Sequence, residues 1–526
     1  MKKLASVITG IILILSIAAY PAYSAEVSAP QKVSPKVISP RKNLTKRAKD
    51  SSKELPSSYS SRDLGFCSSV KDQVGQICWA YGSLSSYESF MLKNNLYTAD
   101  YDPSILDRWG ANSGGDRGWM RNLREAGSTY IPIGNFTSWQ GPLSQEGDTV
   151  KYGVTDISYF TKGDNEYIKR AIMESGAVTA NLMDYSRGYS TDRCSYCITD
   201  KINHNSGHTI SVVGWDDNYS KENFDGNYMP KNNGAWLCKN SAGQHLNSLG
   251  GYMWVSYEDY YLFSSEEYDP SFSIDKIREI GEDDHLYQNE IYGATYEFNY
   301  IPEDDLTYFN VFDFSENGNV LEKVVFETLA LGADYKIYAA ELDEDGKPVS
   351  DKALWTELGS GKVGHNGYIS CDTGNKILRR GKVAIGVELD TSSTLSENCL
   401  GVSEWLRIAE TSTMFFIDPV EKGMSYVLYS GGMTDVKDYY ADKLDDDIGG
   451  ALVIKAITNE KTDASFLGDV DLNGDVNIKD VTALQKYLAQ IITLPTDAVL
   501  NADFNQDGKI KITDATAISK MLAKIE

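Results

Sequence analysis

Beyond its first 25 residues the 526-residue chain has no apolar run long enough to span a bilayer, which takes about 20 residues. Positive charge is also in deficit: 50 Lys and Arg against 75 Asp and Glu leave a net charge of −25. That argues against nucleic acid, whose phosphates need basic patches, and against adhesion to an anionic membrane. It favours solubility and, where carboxylates cluster, divalent cations. Histidine is scarce, five in all, and His204, His245, His285 and His365 show no metal-ligand spacing. The seven cysteines are an odd number, so pairing leaves at least one thiol over. Cys194 and Cys197 make one Cys-x-x-Cys without the second pair a zinc site needs; a local disulfide and two thiols both stay open. Cys371 and Cys399 could form a disulfide. Cys67 has no visible partner, and Cys238 lies in a strand read as core.

What is present starts with an export signal. Lys2 and Lys3 precede the apolar run Leu4 to Ala19, and Ala22-Tyr23-Ser24 offers small residues for cleavage. The alternative, an uncleaved anchor, would call for a longer run. Residues 1–24 therefore read as a signal peptide, placing the mature protein outside the cell, where disulfides are allowed. Residues 25–53, with Pro30, Pro35 and Pro40, are too polar to build a core and read as a linker or short pro-segment. At about 100–200 residues per domain, the remainder should hold several units. Residues 54–265 mix helical and strand-like runs. Residues 280–458 repeat short β-branched and aromatic runs between turn signals, the pattern of a β-sandwich. A polar stretch, 459–464, leads to the last unit, 465–526.

That unit repeats itself. Asp469-Val470-Asp471-Leu472-Asn473-Gly474-Asp475-Val476-Asn477-Ile478-Lys479-Asp480 is echoed by Asp503-Phe504-Asn505-Gln506-Asp507-Gly508-Lys509-Ile510-Lys511-Ile512-Thr513-Asp514. Each copy has the spacing of an EF-hand-type loop, in which alternate oxygen-bearing residues surround calcium. In the first, Asp469, Asp471, Asn473 and Asp480 supply side chains, Asp475 its carbonyl, and Asn477 an oxygen directly or through water. In the second, Asp503, Asn505, Asp507 and Asp514 supply side chains and Lys509 its carbonyl. Gly474 and Gly508 fall where the loop turns sharply. An acidic solvated tail would not repeat this register and follow it each time with an amphipathic helix.

A loop followed by one helix, twice, each loop closed by Asp, resembles a type I dockerin. The resemblance implies one calcium ion per loop and a cohesin-bearing scaffold protein as partner, as in cellulosome-like complexes. It places partner contacts at Ile478, Lys479, Gln485 and Lys486, and at Ile512, Thr513, Ser519 and Lys520.

A second constellation lies near the start. In Gln73-Val74-Gly75-Gln76-Ile77-Cys78-Trp79, a cysteine opens a stretch with Leu84, Tyr87, Phe90 and Met91 at helical spacing. A thiolate there is stabilised by the helix dipole and by exposed N–H groups. His208 begins an apolar strand, and Asn240 follows another; Cys, His and Asn in this order fit a thiol, its base and the group that orients the base.

This region resembles the papain-like cysteine peptidases: Val70-Lys71-Asp72-Gln73, Cys78-Trp79-Ala80, Gly114-Gly115, Ala171 to Val178, His208 to Trp215, Trp236 to Ser241 and Gly251-Tyr252 match family motifs. The resemblance implies that Cys78 attacks the peptide carbonyl, His208 activates it, Asn240 holds His208, Gln73 and the Cys78 N–H stabilise the oxyanion, and Gly114 and Gly115 bind the substrate backbone. No cofactor is required for such catalysis. Three features depart from the pattern: Gln73 stands five residues before Cys78 instead of six, Gly75-Gln76-Ile77 replaces the usual cysteine and glycine, and Ala242 replaces a tryptophan.

Leu321 to Ala340, Arg380 to Asp390 and Gly449 to Thr458 resemble the lectin-like domain of some clostridial members; glycan binding and structural support are equally open for it. The expected fold is α+β and multidomain. It comprises a two-lobed papain-like peptidase, with a helical and a β-barrel-like lobe, then a β-sandwich, then a small α-helical dockerin with two calcium loops. The expected function is that of a secreted cysteine endopeptidase acting through a thioester, docked to a scaffold of a Gram-positive bacterium. The alternative is an inactive papain-like adaptor that binds protein or glycan in the same complex.

Overall fold

The computed structural model describes residues 36–37, 54–96, 100–111, 118–183, 185–202, 207–264, 269–298, 300–315, 318–404, 406–407, 415–417, 421–444, 450–459, 467–471, 476–505 and 509–524. Gly114, Gly115, His204, Asn473, Asp475 and Asp507 lie outside them, as do the signal peptide and most of the following segment.

The first lobe is built on helix α1, Cys78–Lys93, with α2, Pro103–Trp109, and α3, Tyr130–Thr137, beside it. Leu84, Tyr87, Phe90 and Met91 are all buried, so the helical spacing read from the sequence is the core face. Pro103 sits in the first turn of α2, where its missing N–H costs nothing, and Asp102 caps that helix by accepting from the Ser104 N–H at 2.8 Å.

The second lobe is a sheet whose main strands are β1, Tyr152–Phe160; β2, Val178–Met183; β3, Gly207–Asp216; β4, Ala235–Lys239; and β5, Tyr252–Ser256. Helix α4, Asn165–Ser175, packs on it. Antiparallel register pairs His208 with Leu182 and Val212 with Cys238. β1 is buried along its whole length. A following strand, β6, Ser271–Glu279, pairs along β1 and so belongs to the same sheet.

The β-rich region after it does not stand apart. Strands β7, Asp305–Asp313; β8, Val320–Thr328; β9, Asp334–Ala340; β10, Thr356–Lys362; β11, Gly367–Ile377; β12, Lys382–Asp390; β13, Ser425–Tyr429; and β14, Ile454–Thr458 form two faces. One face has the order β10-β9-β12-β7-β13 plus a short edge strand. The other, with order β14-β8-β11, continues directly into the first region, because β11 pairs with β1 at Gly367–Ser158 and Tyr368–Ile157. The result is one 13-stranded sheet running through both regions. Tyr368, Val325, Val453 and Ile457 accordingly share a core with Tyr87, Phe136 and Ile157.

The seam contains a buried ion pair. Lys455 Nζ lies 2.6 Å from Glu290 Oε1, both side chains being 1% exposed. The same ammonium donates to Gln288 Oε1 at 2.6 Å and to Ser138 Oγ, just after α3, at 3.1 Å. Removing one partner leaves a buried charge without its counter-charge. Lys455→Met is expected to destabilise the protein by about 3–5 kcal/mol, and adding Glu290→Leu to recover most of that. Urea unfolding checks both; a single variant as stable as wild type would remove the seam pair from the account.

None of the seven cysteines is in a disulfide. For Cys371 and Cys399 the reason is placement: Cys371 packs inside the sandwich core and Cys399 inside the core shared with α1. Cys194 and Cys197 are buried thiols.

The last unit has helices α5, Ile478–Leu488; α6, Thr496–Ala502; and α7, Ile512–Ala523, so a short helix precedes the second loop. α5 and α7 pack over a small core of Val470, Val481, Leu484, Ala502, Ala515 and Ile518.

Candidate functional site

Cys78 is the first residue of α1, half-buried, following Ile77 at the cap. Its helix lies close against β3 because Gly82, one turn on, has no side chain: a Cβ there would come within 2.9 Å of Thr209 Cγ2. Ser86 and Ser211 then join helix and strand through their hydroxyls at 2.9 Å. This close approach brings the thiol to His208, at the start of β3.

His208 Nε2 lies 2.8 Å from Asn240 Oδ1, which leaves Nδ1 for the thiol. Asn240 is buried, and its Oδ1 also accepts from the Ser241 N–H at 2.8 Å. Burial opposes the Cys78 thiolate, but the hydrogen bond and charge of His208 and the Thr209 backbone N–H outweigh it, holding the thiol below its ordinary range. Burial likewise opposes the His208 cation, but the hydrogen bond and charge of Cys78, with the bond to Asn240, hold the imidazole above its ordinary range. The two shifts have one cause, a mutually stabilised thiolate and imidazolium.

Gln73 reaches this group. Its backbone N–H donates to the Ser241 carbonyl at 2.7 Å, and Asp72 bridges to Ala242. Its Oε1 accepts from Ser241 Oγ at 2.7 Å, and its Nε2 donates to the Gly75 carbonyl at 2.8 Å. The short loop therefore turns one of the two amide hydrogens back onto itself and leaves the other available. Thr209 and Ser241 contribute contacts that the sequence reading did not assign; their only signal was standing next to His208 and Asn240. His365 Nδ1 lies 3.2 Å from the Asn366 carbonyl oxygen, and His285 lies in a separate strand.

In the C-terminal unit, ligand oxygens of Asp469, Asp471 and Asp480 lie within 4.8 Å of one another. Asp469 and Asp480 are fully buried. Asp480 Oδ1 accepts from the N–H groups of Val470 and Asp471 at 2.8 and 3.0 Å, and its Oδ2 from that of Asn477 at 2.8 Å, which also caps α5. Asp514 does the same in the second copy: it is buried and accepts from Asn505 and Lys511 N–H groups at 3.1 and 2.9 Å. Three converging carboxylates repel unless a cation lies among them, and an all-oxygen donor set suits a hard one. The first copy thus fits calcium. In the second copy, Asp503 follows α6 at its C-cap and Lys509 stands two residues before the N-cap of α7. Ile478 and Ile512 each open a helix and stay 66% and 59% exposed, unusual for isoleucine. Lys479, Gln485, Lys486, Thr513 and Lys520 are exposed, and Ser519 is half-buried with its hydroxyl on the Ala515 carbonyl.

Fold and site together resemble a papain-like cysteine protease joined to a lectin-like domain and a dockerin. Residues 286–458 match the model of the lectin like domain, and residues 467–523 that of the dockerin type I domain. Among solved structures, the chain is similar to the clostridial cysteine protease Cwp84 after propeptide cleavage. Identity there is 29%, the match covers 77% of this chain and 99% of that one, and the TM-score is 0.67. It is similar also to the cysteine protease and lectin-like domains of Cwp84, a surface layer associated protein of Clostridium difficile. That match has 29% identity, covers 78% of this chain and 90% of that one, and has the same TM-score of 0.67. Among curated proteins, none matches. No described helix is long and apolar enough to cross a membrane.

Proposed function

We propose that the protein is a secreted cysteine endopeptidase, held by its dockerin to cohesin modules of a scaffold outside a Gram-positive cell. The observation that carries the reading is His208 placed between Cys78 and Asn240, with thiol and imidazole shifted toward the ion pair. Cys78 Sγ bonds to the substrate carbonyl carbon, and the electron pair moves to oxygen. Gln73 Nε2 and the Cys78 N–H, at the positive end of α1, receive that oxyanion. His208 gives its proton to the leaving amine, and the thioester forms as the peptide bond breaks. His208 then takes a proton from water, which attacks the thioester carbonyl; the C–S bond breaks, the acid is freed and the thiolate–imidazolium pair is restored. Gly114 and Gly115 hold the substrate backbone. The unit boundaries at 54–265, 280–458 and 465–526, a signal peptide over 1–24 and one calcium ion in each dockerin loop complete the proposal. Asn473, Asp475, Asn477 and Asp507 join the ligands described above.

The test is cleavage of a mixed peptide library by the mature protein under reducing conditions, before and after treatment with iodoacetamide. Cleavage that disappears as one label enters Cys78 supports the reading. Cleavage that persists in the labelled protein, or none at all, counts against it.

A second reading, a non-catalytic adaptor, draws support from the Gln73 amide bonded to Gly75 and from Ala242, rather than a tryptophan, two residues after Asn240. Gln73→Ala separates the two. Loss of an oxyanion donor lowers kcat by about 10²-fold with little change in KM. A Gln73→Ala variant as fast as wild type would show that the short loop contributes nothing.

A further inference from the structure

Resting on the peptidase reading, we propose that Asp107 and Arg121 are positioning residues. Through Arg124 and Trp79 they clamp the oxyanion loop and the first turn of α1 to the end of α2 and to residues 121–126. Neither residue touches the reacting atoms in this reading; they act through the backbone before Cys78 and the Trp79 ring after it.

The guanidinium of Arg121 is fully engaged. Its Nη2 donates to Asp107 Oδ1 at 2.6 Å and to the Glu125 carbonyl at 2.7 Å. Its Nη1 donates to the carbonyls of Asp107 and Gly110, both at 3.2 Å, and its Nε to that of Ala126 at 3.1 Å. These five bonds use all five N–H donors that arginine has. The pair is buried, with side chains 1% and 3% exposed. It joins the end of α2 to residues 121–126.

From there the contact passes to the nucleophile by two routes. Asp107 Oδ2 accepts from the Arg124 N–H at 2.9 Å, and the Arg124 carbonyl accepts from the Gln76 N–H at 2.8 Å, two residues before Cys78. On the other side of Cys78, the Arg121 guanidinium lies 5.0 Å from the centre of the Trp79 ring, within cation–π range. Gly75 completes the contact: its φ is +83°, and a Cβ there would come within 2.7 Å of Arg124 Cβ and 3.0 Å of its carbonyl oxygen. A structural staple alone would need only the ion pair. The links to Gln76 and Trp79 tie it to the residues whose spacing sets where Gln73 and the Cys78 N–H point.

The experiment compares wild type, Arg121→Lys and Gly75→Ala as full mature chains. It reads three things: melting temperature, the pH profile of Cys78 alkylation by iodoacetamide, and kcat and KM on a peptide substrate. Lysine cannot reproduce the planar fork, so Arg121→Lys is not a neutral change. Gly75→Ala leaves the buried pair untouched and keeps the test valid even if Arg121→Lys fails to fold. For Gly75→Ala, and for Arg121→Lys where folded, the proposal expects kcat about tenfold lower or more. The midpoint of the alkylation profile should stay at the wild-type value, since the contact between Cys78 and His208 is not altered. A Gly75→Ala variant within twofold of wild type in kcat and KM overturns the clamp. So does a loss of kcat matched by loss of Cys78 reactivity, which would mean general disruption. Failure of the peptidase reading looks different: wild type itself would alkylate and yet cleave nothing.

Discussion

Replacing Cys78 with alanine is expected to lower peptide cleavage by about 10⁴-fold or more, and His208→Ala by a similar factor. The two losses should not add, because thiol and base act as one unit. The argument rests on the electrostatics of the pair. Cys78 ionises below its ordinary range and His208 holds its proton above its own. The thiol's shift is downward and the imidazole's upward, so each favours the reactive thiolate–imidazolium form. Activity should rise with pH as Cys78 loses its proton, level off, and fall as His208 loses its own, giving a bell-shaped kcat/KM. The two steps belong to the pair and not to single residues. In His208→Ala the acid limb of Cys78 alkylation should move up toward the ordinary thiol value of about 8.5. Alkylation rates measured across pH check this. A wild-type midpoint at that ordinary value, or a His208→Ala protein with an unshifted midpoint, would defeat the ion-pair account.

Much of this site was legible in the sequence because the chemistry demands residue types at places that local structure reveals. Cys78 opens a helix whose apolar spacing runs through Leu84, Tyr87 and Met91; His208 begins a strand and Asn240 ends one. The repeated acidic loops were legible for a similar reason, since alternate oxygen-bearing residues and a glycine at the turn leave little freedom. What the sequence did not show depends on burial. Asp107 and Arg121 are 14 residues apart and read as ordinary charges; only the folded chain shows that they face each other away from water. Lys455 sits in an apolar strand and Glu290 in a loop, and nothing local announces the pair that ties the two regions. The continuity of the sheet was hidden likewise: the pairing of Gly367 with Ser158 joins segments 209 residues apart, and pattern reading has no access to which strand edges meet. Isoleucines at 478 and 512 are exposed against their type, at the positions assigned to partner contact.

Removal of calcium is expected to melt the last unit and abolish cohesin binding, while leaving the rest of the protein folded. Among its described residues the unit buries only seven apolar side chains, six of them in the core under α5 and α7. A core of that size stabilises a domain by no more than about 3–5 kcal/mol. Against it stand Asp469, Asp471 and Asp480, whose oxygens converge within 4.8 Å, two of them fully buried. With a cation bound, that repulsion becomes attraction. Each ion at about 1,000 times its dissociation constant adds roughly 4 kcal/mol, comparable to the whole apolar core. Asp480 and Asp514 also each hold a helix start through hydrogen bonds to the N–H groups of Asn477 and Lys511, so loss of the metal should unwind α5 and α7 from that end. Because Ile478 and Ile512 begin these helices, the partner surface should go with them. A chelator is therefore expected to remove helical signal and to weaken binding to an isolated cohesin module by at least about 10³-fold, both restored by added calcium. Asp480→Ala combined with Asp514→Ala should reproduce the loss without chelator. Peptide cleavage should be unchanged in each case, since the shared core around α1 and β1 holds none of these ligands. Full helicity and tight cohesin binding in excess chelator would show that the carboxylates are balanced by something other than a metal ion.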